Sequence, residues 1–186
     1  HDMEILEFPC PKTTGDYTDE NAAVEALDDL LTRTGLFRIY REVKGWLLQP
    51  RPDTVDKTMR MDRLLMPAAK LLAEGWRHGA IGIECKRAAV KIGPAIAQSM
   101  DYTRAVFQSH DTGLLVIPTY VLLWPLPEVQ GVMHSIFMQH RLGGVIHKNT
   151  GGDNKLLMHL GWRNVLVECD LNSGSVFLGS CRAGGK

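Results

Sequence analysis

The chain has 186 residues, 45% hydrophobic and 23% charged, an ordinary globular composition with enough apolar material for one cored domain. Its four cysteines, Cys10, Cys85, Cys169 and Cys181, are widely spaced, which argues against a disulfide scaffold or a zinc knuckle and for reduced thiols in a cytoplasmic protein. The most apolar run, Leu114 to Leu126, contains Pro118 and Pro125 and is too short to span a bilayer, so no membrane partner is expected.

No signal-peptide pattern opens the sequence, and His1-Asp2 ahead of Met3 read as a cloning remnant. The formal net charge is zero but unevenly spread. Nine acidic and two basic residues precede residue 36, whereas thirteen basic and seven acidic residues lie between 36 and 109. The basic excess surrounds Glu84 and suits a polyanionic partner.

Residues 3–17 read as irregular, with Pro9, Pro11 and Gly15. A helix starts near Thr18 or Asp19, carries an apolar stripe of Val24, Leu27, Leu30 and Leu31, and stops at Gly35. Leu36 to Gln49 reads as a long strand, broken by Pro50-Arg51-Pro52-Asp53. Met59 to Met66 reads as its hairpin partner, and Pro67 to Trp76 as a short helix. Gly79 to Arg87 forms a third strand, Pro94 to Phe107 a helix and Leu114 to Trp124 a strand apolar enough for the centre of a sheet. Val129 to Arg141 reads as helical, and Gly143-Gly144 and Gly151-Gly152 bracket an expected flexible loop. Asn164 to Leu171 and Ser175 to Leu178 form a hairpin around Asn172-Ser173-Gly174. A mixed sheet flanked by helices, an α/β fold, satisfies this order.

The third strand carries the chemistry. Side chains at i and i+2 share a strand face, so Glu84 and Lys86 lie side by side while Ile83 and Cys85 face away. A carboxylate beside an ammonium in an apolar strand suits a divalent cation next to a scissile phosphate. Magnesium takes oxygen ligands, typically one or two carboxylates, and a lysine stabilises charge developing on phosphorus. Asp62, in the mostly apolar Met59 to Leu65, is favoured as the second carboxylate. Asp53 competes from a polar turn, and a salt bridge to Arg60 or Arg63 competes for Asp62. Gln98 and Tyr102 share a helix face at i and i+4 and could contact metal-bound water, phosphate or a base. Lys91 precedes that helix, at a position suited to a phosphate contact. Glu20 lies on the core-facing stripe of the first helix and could point at the metal. The tryptophans read as core or sheet anchors, and the histidines lack metal-ligand spacing.

Asp62, Glu84-Cys85-Lys86 and Gln98-Ser99-Met100-Asp101-Tyr102 together resemble the PD-(D/E)XK nuclease superfamily, including the glutamine-x-x-x-tyrosine element of its RecB-like, Cas4-like and phage exonuclease members. The resemblance covers about residues 18–124, with Met61 where the eponymous proline would stand and residues 125–186 as an unassigned extension. It implies a restriction-endonuclease-like α-β-β-β-α-β core, dependence on magnesium or manganese, and DNA cleavage leaving a 5′-phosphate. It also implies metal binding by Asp62 and Glu84, help to the attacking water from Lys86, a fourth motif at Gln98 and Tyr102, and the helix glutamate at Glu20. The backbone carbonyl of Cys85 is a further candidate ligand, and Arg60, Arg63, Arg87 and Lys91 are candidates for holding the DNA backbone. The expected function is thus a metal-dependent deoxyribonuclease in a single domain. The alternatives are a non-cleaving DNA- or protein-binding module of the same fold and an accessory subunit docking through its acidic first helix.

Overall fold

The structure, a computed structural model, describes residues 19–53, 57–86, 92–126, 132–161 and 163–179. Arg87, Lys91, Trp162, Cys10, Cys181, the irregular 3–17 segment, the start of the helix expected from Val129 and the tail from 182 lie outside the described residues.

Helix α1 (Glu20–Thr34) opens with Asp19 as its cap, the carboxylate accepting from the Asn21 amide at 3.2 Å. It closes at Gly35, whose φ of 62° is the left-handed conformation that glycine adopts without strain. Its buried face is Ala23, Leu27, Leu30, Leu31 and Thr34. Each fully buried leucine there contributes roughly 1.5–3 kcal/mol. Strands β1 (Phe37–Leu47), β2 (Met59–Pro67) and β3 (Ile81–Cys85) follow as an antiparallel meander, with the one-turn α2 (Ala69–Ala73) between β2 and β3. Helix α3 (Ile92–Tyr102) ends earlier than its periodicity suggests, because Ala105–Gln108 leave it to form β4 against β1.

The strand expected over Leu114 to Trp124 is two pieces, β5 (Leu115–Val116) and β6 (Tyr120–Trp124), interrupted at Pro118, which cannot donate to a ladder. Helix α4 (Val132–Gln139) precedes β7 (Leu142–Thr150), β8 (Asp153–Leu160), β9 (Asn164–Asp170) and β10 (Val176–Leu178). The expected glycine-bracketed loop is therefore the β7–β8 hairpin. Gly151 and Gly152, at φ 61° and 90°, supply the two-residue turn that pairs Thr150 with Asp153. Gly143 and Gly144 lie inside β7, where a side-chain carbon would collide with the His159 backbone and with Leu126.

The ten strands among the described residues join one mixed sheet in the order β10-β9-β8-β7-β6-β3-β2-β1-β4-β5. Among the described strand pairs, only β3–β6 and β6–β7 are parallel. The helices flank it. One core cluster joins α1 to Ile81, Ile83, Cys85, Tyr120, Leu122 and Trp124. The other joins Ala95, Ile96 and Tyr102 of α3 and Phe137 of α4 to Val121, Leu123 and Ile146. Two polar ties fix α1 on the sheet. The indole N–H of Trp124 donates to the Ala23 carbonyl at 2.7 Å, and the Arg63 guanidinium grips both oxygens of Asp28 at 2.7 and 2.9 Å. No described helix is long and apolar enough to cross a membrane.

Candidate active site

β3 runs at the middle of the sheet, antiparallel to β2 and parallel to β6, and every one of its residues is buried. Ile83 and Cys85 pack on the α1 side, so Glu84 projects to the α3 side. The Lys86 amide continues the parallel pairing by donating to the Trp124 carbonyl at 2.9 Å. Its ammonium lies 2.5 Å from Glu84 Oε1, the same-face pair expected from the i and i+2 spacing. Glu84 is only 2% exposed, and its other oxygen, Oε2, has no hydrogen-bond partner among the described residues. A buried carboxylate oxygen without a partner is costly unless something else neutralises it.

Asp62 reaches the same end of β3. The paired register of β2 and β3 ends at Arg63–Ile83. One residue further on, the Asp62 carboxylate accepts the Cys85 amide at 2.7 Å, as a backbone carbonyl would have done. Neither arginine beside it takes this carboxylate. Arg63 pairs with Asp28, and the Arg60 guanidinium lies 3.5 Å from Glu42. Asp53, the competing aspartate, is exposed and sits 3.7 Å from Arg51 in its own turn.

The electrostatics follow from burial. Glu84 is pushed up to about 7, first by loss of water and then by the negative charge of Asp62, with Lys86 only partly opposing them. Asp62 is also raised by burial, against the Cys85 hydrogen bond and the Lys86 charge. Burial works against the charge on Lys86, but its hydrogen bond and ion pair with Glu84 outweigh this and its pKa lies above the ordinary lysine value. Burial pushes the Cys85 thiol well up, so its sulfur is an inert packing group and only its backbone can serve the site.

Several expected roles change. Tyr102 is 1% exposed and stacks edge-on against Phe107, so it meets neither phosphate nor base. Its hydroxyl donates to the Arg60 carbonyl at 2.5 Å and accepts from the Gln98 amide at 2.6 Å, which ties α3 to β2 behind Asp62. Arg63 is 5% exposed and consumed by Asp28, and is therefore unavailable to a DNA backbone. Glu20 is exposed in the first turn of α1 instead of pointing inward. It is still near enough for its charge to raise Asp62 and Glu84. Arg60 is exposed, as a phosphate contact requires.

Among the described residues no three or more His, Cys, Asp or Glu side chains gather as a metal-binding group. The donor set that fits a hard cation is the pair Asp62 and Glu84 with backbone oxygen beside them. A carboxylate raised by the charge of a second one, and with a partnerless buried oxygen, has the chemistry a divalent ion would relieve. Glu42 was not foreseen. It faces Asp62 across the β1–β2 ladder, and its charge acts on that carboxylate. Comparison of the chain with protein-family models, with curated proteins and with solved structures gave no significant match.

Proposed function

We propose that the chain is a metal-dependent deoxyribonuclease built on a restriction-endonuclease-like core. The observation that carries this reading is the buried Glu84 carboxylate, with Oε2 unpartnered, set between Lys86 and a second, half-buried carboxylate, Asp62. The order helix, three-stranded antiparallel meander, helix, and strand parallel to the third supports it, here as α1, β1–β3, α3 and β6.

Asp62 and Glu84 would hold magnesium or manganese, with the Cys85 carbonyl as a candidate third donor. When bound, the ion polarises the phosphate and makes its water acidic. The protein's own residues do the rest. The Cys85 amide fixes the Asp62 carboxylate, so the ligand needs no reorganisation. Lys86, whose side chain is 27% exposed, would leave Glu84 Oε1 for a phosphate oxygen. The Tyr102–Arg60 hydrogen bond holds β2 in place from behind. Exposed Arg60, two residues from Asp62, would supply positive charge for a DNA backbone.

A second reading, a nucleic-acid-binding module that does not cleave, draws on Lys86 lying against Glu84, which already neutralises one carboxylate. Calorimetry with manganese separates the two, because only the nuclease requires ion binding that disappears with Asp62→Ala. Incubation with linear, circular, single-stranded and forked DNA, with and without manganese, tests cleavage itself.

A further inference from the structure

Strands β1 and β2 exchange faces at one level. On β1, Phe37 and Ile39 pack in the α1-side cluster, and Arg41 reaches Asp28 of α1 at 3.1 Å. Strict alternation would keep Val43 on that side, yet Val43 and Leu47 pack in the α3-side cluster. On β2, Leu65 and Arg63 face α1, whereas Met61 and Met59 pack with α3. The exchange falls at Glu42 on one strand and at Asp62 on the other. These two face each other, because the register runs without a slip from Arg41–Arg63 to Val43–Met61.

An inserted residue would be the usual cause of such a break, and none is present. Glu42 instead has a φ of +50°, a left-handed backbone that a glutamate adopts only under constraint. The β2–β3 ladder ends at the same level, and there the Cys85 amide turns to the Asp62 carboxylate.

We propose that Glu42 is the positioning residue for Asp62. Its left-handed backbone turns the paired strands over, so that Asp62 leaves the alternation and reaches the Cys85 amide. Its carboxylate, 3.5 Å from Arg60, is a secondary hold. The proposal deepens the nuclease reading, and its metal arm rests on that reading, but its backbone arm does not.

The test compares Glu42→Val, Glu42→Asn, Glu42→Gly and Glu42→Gln in the metal-free full chain by amide hydrogen exchange at Cys85. Valine disfavours the left-handed region most, whereas asparagine and glycine enter it readily. Glu42→Val should speed exchange at Cys85 by about tenfold or more while Val121, within β6, keeps its protection. The Asn, Gly and Gln variants should stay within about threefold of the parent. If Glu42→Val does not fold, Glu42→Gly decides: it should raise the folding equilibrium constant about fivefold with the Cys85 amide still protected. Unchanged Cys85 exchange in a folded Glu42→Val, or a lower folding constant in Glu42→Gly, overturns the proposal. In parallel, manganese affinity should fall about tenfold or more in Glu42→Val and return in Glu42→Asn. Failure of that rescue also overturns the proposal. A parent chain that binds no manganese contradicts the nuclease reading and leaves the exchange data to decide Glu42.

Discussion

The Cys85 amide donates to Asp62 Oδ2 at 2.7 Å, a side-chain carboxylate standing where a strand partner's carbonyl would be. The bond links the two strands that carry the candidate ligands and gives Asp62 one fixed geometry. Asp62→Asn retains an acceptor oxygen, so stability should change by less than about 1 kcal/mol while manganese affinity falls sharply. Asp62→Ala orphans the amide and should cost about 1–3 kcal/mol in urea denaturation.

Glu84 carries the pH dependence. Its pKa in the fold is raised from 4.5 to about 7, so between these values the folded chain holds a proton that the unfolded chain has released. The stability this contributes is fully present below about 4.5 and is lost as pH rises through about 7. Its size is on the order of 3 kcal/mol, and Glu84→Gln should flatten the stability profile over that window. Manganese binding requires the released form, so affinity measured by calorimetry should rise with pH through the same range.

Lys86 holds Glu84 down against burial and Asp62. Lys86→Ala should therefore move the Glu84 titration to still higher pH, visible as a shift of the stability profile. Lys86→Arg, which keeps a cation there, should leave the profile near the parent's.

Arg63 and Asp28 form a nearly buried pair joining β2 to α1. Arg63→Met alone should destabilise the protein by up to about 3 kcal/mol, because the nearly buried Asp28 keeps only the exposed Arg41 as its partner. The double variant Arg63→Met with Asp28→Leu should recover most of that loss in a double-mutant cycle, with apolar packing replacing the pair.

Much of the candidate site's geometry is legible in the sequence because it is local. The Glu84 and Lys86 pair follows from strand periodicity, and the Gln98 and Tyr102 contact from helix periodicity. An acid in the apolar neighbourhood of Met61 and Leu64 singled out Asp62. What stayed hidden depends on contacts distant in sequence. Arg63 looked like a surface cation because Asp28 lies 35 residues away. Tyr102 looked like a surface aromatic because its acceptor, the Arg60 carbonyl, lies 42 residues away. The face exchange at Glu42 left no mark, since nothing about a glutamate announces a left-handed backbone. The β7–β8 hairpin reads as a loop in the sequence because one glycine pair makes a turn and the other admits a neighbouring strand's backbone, and the letters alone do not separate these uses.

The most direct measurement of the central claim is DNA cleavage by the full chain, Glu84→Ala and Lys86→Ala across a titration of manganese and magnesium. The account predicts metal-dependent cleavage by the parent and a loss of at least about a hundredfold in each variant at every metal concentration. Variants that cleave as well as the parent, or a parent that cleaves equally well in chelator, would contradict it.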